Sequence, residues 1–329
     1  MTITVAMYDK TYEQMGRRLD ALALDIKVHT FSKDGRYRIK GQSVAPGDVS
    51  IDYLWLNQSI NADGFQERAF QLALDTRKIG LLQTYNAGLD HPFYKAIAAK
   101  GTRLLNSSAQ AVAISEYVFG QLLSVFQPIE QQRAQQASKT WKLTPYREIA
   151  GTNWLIVGYG PIGQEIAKRA KAFAATTMVV RRKPQISALV DRAGTLGDIA
   201  QFAPDADVVV LACPLNAETR GFADAAFFAS LKPGAILVNI ARGALIDDAA
   251  MIAALDSGRL ATAILDVFHE EPLPPANPLW SHPKVRLTPH TSFGGNGLRG
   301  RGEQLFLTNI ARFTKGEALT NEFDPKDLP

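Results

Sequence analysis

Near the middle of the chain, Gly158-Tyr159-Gly160-Pro161-Ile162-Gly163 follows the apolar run Trp154-Leu155-Ile156-Val157 and leads into a helix-like stretch from Gln164 to Phe173. Three glycines at this spacing, between a strand and a helix, restrict the fold severely. Gly158 permits a tight turn, Gly160 lets the backbone approach a pyrophosphate, and Gly163 lets the helix lie close to its strand, so that the helix amides face the anion. The segment therefore reads as a dinucleotide-binding turn, with Tyr159, Pro161 and Ile162 sharing the contact. Eighteen residues beyond Gly163, the run Val179-Val180 ends in Arg181-Arg182-Lys183. An acidic side chain near that point would accept a ribose 2′-hydroxyl, whereas guanidinium groups suit a 2′-phosphate. The expected cofactor is NADP(H), with NAD(H) as the alternative.

The turn lies too far along the chain for the preceding segment to be a leader, so that segment must fold as a domain of its own. Before the turn, apolar runs at 3–7, 26–31, 53–56 and 80–83 read as short strands, with helical periodicity at 65–74 and 93–100. After it, 177–180, 208–212, 235–240, 263–265 and 285–287 read as buried parallel strands, separated by helical stretches such as 224–231 and 248–255. The class is α/β, with two doubly wound parallel-sheet domains. The amphipathic stretch 109–126 is suited to join them. A terminal helix over 304–313 has no strand after it and is expected to pack back on the first domain, leaving an interdomain cleft for ligand. The expected boundaries are 1–105 and 293–329 for a discontinuous substrate domain, and 106–292 for the dinucleotide domain.

A chain of 329 residues, 46% of them apolar, can bury two cores. Its net charge of +4 comes from basic residues interleaved with acids, so nucleic acid is not an expected partner. Arg181-Arg182-Lys183 and the pair Arg299/Arg301 are each suited to a single anion, and for the second pair solvated surface charge is the competing reading. No run approaches a membrane span, and the amino terminus alternates like a first strand rather than a secretion signal. The single cysteine, Cys213, cannot form an internal disulfide, which fits a reducing cytoplasm. No metal-ligand set is expected.

Three strand ends carry the reactive side chains. Residues 235–241 finish in Arg242-Gly243; Ala263-Ile264-Leu265 finishes in Asp266, with Glu271 beyond; Val285-Arg286-Leu287-Thr288-Pro289 finishes in His290. Parallel sheets present such groups at their carboxyl edge. Beside a nicotinamide, this set suits reduction of a 2-oxo acid. Arg242 grips the carboxylate with its planar fork, and His290 delivers a proton to the carbonyl oxygen. Glu271, bonded to the other imidazole nitrogen, favours the protonated ring and fixes its orientation. Asp266 holds the cofactor's carboxamide or orders the site. Cys213, read as inert packing, and Pro214, Thr219, Ile240 and Ala241 complete the candidate cofactor surroundings. His29, His91 and His282 read as surface or core polar residues. His269, on a turn with little to orient it, is the second candidate acid, and Asp247 reads as a helix N-cap. Trp280 and Phe293 read equally as pocket lining or core.

On the runs Gly158 to Gly163, Val238-Asn239-Ile240-Ala241-Arg242-Gly243, Leu265-Asp266-Val267-Phe268-His269-Glu270-Glu271-Pro272-Leu273-Pro274 and Thr288-Pro289-His290, the chain resembles the D-2-hydroxyacid dehydrogenase family over nearly its full length. The resemblance implies a Rossmann cofactor domain inserted in a flavodoxin-like substrate domain. It implies that Arg242, Glu271 and His290 are the catalytic group, with hydride transfer specific for the D enantiomer. It also implies that the amides of Ala87 and Gly88, in Asn86-Ala87-Gly88-Leu89-Asp90, bind the substrate carboxylate. The Arg181-Arg182 pair is similar to that of NADPH-preferring glyoxylate/hydroxypyruvate reductases. A homodimer is implied as well, with Trp141 at its interface. The stretch Ser292-Phe293-Gly294-Gly295-Asn296-Gly297 departs from the family, being richer in glycine, and bears on pocket shape.

Two alternatives stand beside NADPH-dependent reduction of a small 2-oxo acid. One is an NAD-dependent dehydrogenase for lactate-like or bulkier substrates on the same scaffold. The other is a cofactor-sensing, corepressor-like binding protein, although residues 2–105 advertise no peptide groove.

Overall fold

The computed structural model describes residues 2–328. The chain forms two compact units, Met1–Ala109 with Asn296–Pro329, and Gln110–Gly295. The expected boundaries at 105/106 and 292/293 differ by a few residues, for reasons visible in the contacts. Arg301 Nε donates to Ala109 O at 2.8 Å, which ties the end of the first segment to the returning helix. Gly295 lies so close to Ala113 that a Cβ added to it would sit 2.7 Å from the Ala113 Cβ, which keeps Gly295 with the second unit.

The first unit is built on β1 (Ile3–Tyr8), β2 (Ile26–Phe31), β3 (Tyr37–Ile39), β4 (Gln42–Val44), β5 (Ser50–Trp55), β6 (Lys78–Gln83) and β7 (Arg103–Leu105). Five of them form a parallel core in the order β7-β6-β5-β1-β2. Numbered among themselves, these strands have the 2-1-3-4-5 order of flavodoxin-like sheets. Beyond β2 the sheet continues through the antiparallel hairpin of β3 and β4, which the apolar pattern does not announce. Its two-residue loop, Lys40 and Gly41, has φ of 50° and 78°, the positive values a primed hairpin turn needs. The short strand Glu322–Phe323 closes the other edge antiparallel to β7.

Side-chain alternation divides this unit into two buried layers. On one face Ala6, Tyr8, Leu54 and Leu82 pack with Phe70, Phe93 and Tyr94 from the helices Gln66–Asp75 and Pro92–Ala99. On the other, Val5, Met7, Tyr53, Trp55 and Leu81 meet Met15 and Leu19 of the helix Asp9–Asp20 and Phe306 and Ile310 of the helix Leu298–Thr314. Trp55 and Phe306 stack with centroids 4.1 Å apart, so the carboxy-terminal helix does pack on the first sheet. It begins at Leu298 rather than at 304, despite Gly300 and Gly302 in its first turns.

In the second unit, β8 (Asn153–Val157), β9 (Thr176–Val180), β10 (Arg192–Gly194), β11 (Val208–Leu211), β12 (Ala235–Asn239), β13 (Leu260–Leu265) and β14 (Val285–Leu287) are all parallel, in the order β10-β9-β8-β11-β12-β13-β14. Counted from β8 this is the 3-2-1-4-5-6 Rossmann order with one further strand, and the order reverses between β8 and β11. Both faces are covered, which explains the unbroken apolar runs. The helix Ala111–Phe126 belongs to this unit, with Phe119 stacked on the fully buried Trp154 at 4.9 Å. A polar helix, Ile129–Ala137, follows with no buried residue, so it lacks the apolar periodicity that would reveal it.

Candidate active site

At the carboxyl end of β8, Gly158 has φ of 102°, and a Cβ there would lie 2.5 Å from Cys213 N. Any side chain would collide with the backbone leaving β11. Gly163 is equally constrained, since its Cβ would fall 2.1 Å from Gly158 O, so helix and turn touch directly. Gly160 differs: nothing lies within 4 Å of where its Cβ would be, so its missing side chain leaves open a space that no protein atom fills. The helix Pro161–Ala172 starts there, earlier than 164, with Pro161 in its first turn and no side chain capping its amides. The turn thus fits a phosphate group by its space and by its uncommitted donors. At the end of β9, the Arg181 guanidinium stands over the Tyr159 ring at 5.4 Å, which holds the cation beside the turn. Arg182 and Lys183 follow, both exposed.

The three reactive side chains follow three neighbouring strands, β12, β13 and β14. His290 Nδ1 lies 2.7 Å from Glu271 Oε2, and Phe268 N donates to Glu271 Oε1 at 2.9 Å. Both carboxylate oxygens are engaged, which fixes the plane of the group that orients the imidazole. Arg242 is half-buried, with Nη1 2.5 Å from Ala241 O. The fully buried Asn239 shapes its turn: Nδ2 donates to Arg242 O at 2.8 Å and Oδ1 accepts from Ala241 N at 3.1 Å. Gly243 then lets the Glu271 loop pass against this strand end, because a Cβ there would overlap Phe268 C at 2.0 Å.

His290 itself has φ of 48°, a left-handed conformation uncommon outside glycine. Asp266 holds it. This carboxylate, wholly buried, accepts from Thr288 Oγ1 at 2.6 Å, Thr291 N at 2.8 Å and Ser292 N at 3.0 Å, while its carbonyl accepts from His290 N at 2.9 Å. Of the two roles the sequence left open for Asp266, ordering the site is the one its bonds display. Tyr117 OH lies 2.7 Å from Thr288 Oγ1, and because the threonine proton goes to Asp266, the tyrosine is the donor. Burial pushes the Tyr117 hydroxyl up to about 12. Neither Asn239 nor Tyr117 stands out in the sequence as a support of the site, and Tyr117 carries no local signal at all, being 171 positions from Thr288.

Several other residues are placed clearly. His269 is anchored after all: its Nε2 lies 2.9 Å from Ile246 O and 3.8 Å from Asp248, so it braces the Glu271 loop instead of standing loose. Asp247 caps the helix Asp248–Asp256 by accepting from Ala250 N. Cys213 is buried, which pushes its thiol up to about 12. The Thr219 hydroxyl donates to Pro214 O and accepts from Asn216 N, each at 2.8 Å, closing its own loop. Ile240 and Ala241 are buried at the end of β12. Phe293 is half-buried with its ring edge-on to His290 at 6.2 Å, whereas Trp280 is mostly exposed and donates to Pro274 O. Ala87 and Gly88 lie in the first unit, in a loop braced by Asn106 Nδ2 on Ala87 O and Ser107 N on Asn86 O, both at 2.8 Å.

A family model, "D-isomer specific 2-hydroxyacid dehydrogenase, NAD binding domain", matches residues 119–292. A glyoxylate/hydroxypyruvate reductase A from Photorhabdus laumondii is 31% identical over 68% of this chain and 70% of its own. A D-3-phosphoglycerate dehydrogenase from Methanocaldococcus jannaschii is 30% identical over 77% of this chain, which spans only 49% of that longer protein. Among solved structures, a D-isomer specific 2-hydroxyacid dehydrogenase family protein from Aeromonas salmonicida superposes with a TM-score of 0.76 at 28% identity, covering 99% of this chain and 100% of that one. With a Rossmann unit whose strand ends carry arginine, glutamate and histidine, the chain belongs to the D-isomer specific 2-hydroxyacid dehydrogenase family and is an oxidoreductase of that class.

Proposed function

We propose that the protein reduces a small 2-oxo acid, of the glyoxylate or hydroxypyruvate kind, to the D-2-hydroxy acid at the expense of NADPH. The His290–Glu271 pair carries this reading: a histidine held in a left-handed turn by Asp266, with a carboxylate at 2.7 Å on one ring nitrogen, keeps its other nitrogen for a substrate oxygen. When bound, the nicotinamide nucleotide supplies the hydride. Protonated His290 gives its Nε2 proton to the carbonyl oxygen as charge develops there, and Glu271 offsets the positive charge of the ring until the proton leaves. Arg242 pairs with the substrate carboxylate.

The preference for NADPH rests on Arg181, Arg182 and Lys183 at the end of β9, in a stretch of sequence with no acidic residue between Glu165 and Asp191. The name of the Photorhabdus relative supports the substrate class. A homodimer fits the fully exposed Trp141, and Leu143 and Tyr146 beside it, an apolar surface of the second unit suited to a second copy. A cytoplasmic setting fits the single buried cysteine. The deciding experiment assays NADPH and NADH oxidation with 2-oxo acids from glyoxylate to phenylpyruvate. Turnover concentrated on the small substrates with NADPH supports the proposal; equal use of NADH, or preference for phenylpyruvate, contradicts it.

A further inference from the structure

The helix Ala111–Phe126 sets one of its faces against the segment that carries His290. Tyr117 OH lies 2.7 Å from Thr288 Oγ1, and one turn earlier Ala113 lies so near Gly295 that a Cβ added to the glycine would stand 2.7 Å from the alanine Cβ. Residues 288–295 run between these two contacts, with the left-handed turn at His290 among them. The helix is firmly seated. Ile114, Val118, Phe119 and Leu122 are buried in the core of the unit, and Phe293 packs against the same core.

Of the three donors to the Asp266 carboxylate, Thr291 N and Ser292 N are backbone groups, whereas Thr288 Oγ1 sits on a rotatable side chain. Tyr117 removes that freedom. Burial keeps the tyrosine hydroxyl protonated throughout the neutral range, so it donates to Oγ1 at every working pH. With Oγ1 accepting from the tyrosine, the threonine's single proton is left for Asp266 Oδ1 at 2.6 Å. The three groups thus form an ordered relay, Tyr117 to Thr288 to Asp266, in which each bond polarises the next. Without the tyrosine hydroxyl, Thr288 is free to turn to another rotamer, and Asp266 then loses one of its donors.

We infer that Tyr117 is a positioning residue for proton transfer: through Thr288 and Asp266 it holds the His290 turn where the imidazole meets both Glu271 and the substrate oxygen. The inference rests on the proposed 2-oxo acid reductase activity and adds to it a residue that acts only through others. A reacting group misplaced by about 1 Å costs on the order of 100-fold in rate. Losing one support from a turn that keeps two others costs less than that.

The test measures kcat with glyoxylate and hydroxypyruvate, NADPH affinity and the solvent deuterium isotope effect on kcat. The variants are Tyr117→Phe, which removes only the hydroxyl, Thr288→Ser, Thr288→Val, and Tyr117→Phe combined with Thr288→Val. In Tyr117→Phe we expect kcat to fall roughly 5- to 30-fold with NADPH affinity kept within about threefold. The solvent isotope effect should grow, because a misplaced acid makes proton delivery the slower part of the reaction. Thr288→Ser keeps the relay and should stay near the wild type. Thr288→Val and the double variant should be equally slow, since the tyrosine acts in series with the threonine. Wild-type kcat in Tyr117→Phe overturns the role of Tyr117, as does a loss of NADPH affinity in step with kcat at an unchanged isotope effect, or losses that multiply in the double variant. A wild type that reduces no 2-oxo acid overturns the proposed activity itself.

Discussion

His290 and Glu271, 19 positions apart in the chain, meet at 2.7 Å because two adjacent parallel strands end side by side and each is followed by a turn with its own clamp. Phe268 N holds the glutamate and the Asp266 carboxylate holds the histidine turn. Glu271→Gln keeps the shape of this contact but removes its charge. It is expected to lower kcat by about 10- to 100-fold with little change in cofactor KM. Steady-state kinetics check this, and an equal loss in kcat and cofactor binding would point to a collapsed site instead.

The Asp266 carboxylate faces three donors from residues 288–292. Asp266→Asn turns one oxygen into a donor that meets another donor, so the left-handed turn at His290 loses its hold. We expect roughly 2–3 kcal/mol of lost stability, together with a fall in kcat larger than that of Glu271→Gln. Chemical denaturation and turnover measured on the same protein test both parts.

Gly158 and Gly160 separate folding from binding. Gly158→Ala places a Cβ against Cys213 N in a conformation with φ of 102°, and it should yield little folded protein. Gly160→Ala meets no neighbour, so its melting midpoint should correspond to a stability change within about 1 kcal/mol, while NADPH affinity falls at least about tenfold, or ~1.4 kcal/mol. Nucleotide titration alongside thermal melting distinguishes the two.

Arg181, standing over Tyr159, and Arg182 beside it are proposed to read the 2′-phosphate. Replacing them together, Arg181→Asp with Arg182→Ala, should weaken NADPH by about 10- to 100-fold and leave NADH nearly unchanged. Fluorescence-quenching titrations with both nucleotides check this, and a uniform loss would mean that the pair acts on something other than the phosphate.

Asp207 predicts a pH dependence. Burial pushes its carboxyl up, but Lys232 at 2.5 Å, the Asn153 amide at 2.8 Å and Arg147 outweigh it and hold the group below its ordinary value. A depressed folded-state value contributes stability that is present above the unfolded value of about 3.9 and is lost as pH falls through the folded one. Asp207→Asn should cost about 1–3 kcal/mol at pH 7, and the gap between variant and wild type should narrow below about pH 4. A gap that stays constant in denaturation curves across this range would contradict the assignment.

What could be read from the sequence was local chemistry and periodicity. The glycine turn, the apolar strands of the second unit and the three reactive strand ends are contiguous patterns, and the folded chain keeps them together. The β3–β4 hairpin escaped because three-residue strands carry too little alternation to stand out. Asn239 and Tyr117 act through a turn and through a contact between distant segments, so their residue types alone say little about their tasks. His269 looked unsupported because its anchor, Ile246 O, is a backbone atom, and no side-chain pattern announces a carbonyl.

The proposed reduction of a small 2-oxo acid turns on proton transfer by His290. The direct measurement is NADPH oxidation by His290→Asn with hydroxypyruvate and glyoxylate, beside NADPH titration of the same protein. We predict a fall in kcat of about 10²- to 10⁴-fold with NADPH affinity kept within about threefold. Turnover as fast as that of the parent would contradict the account.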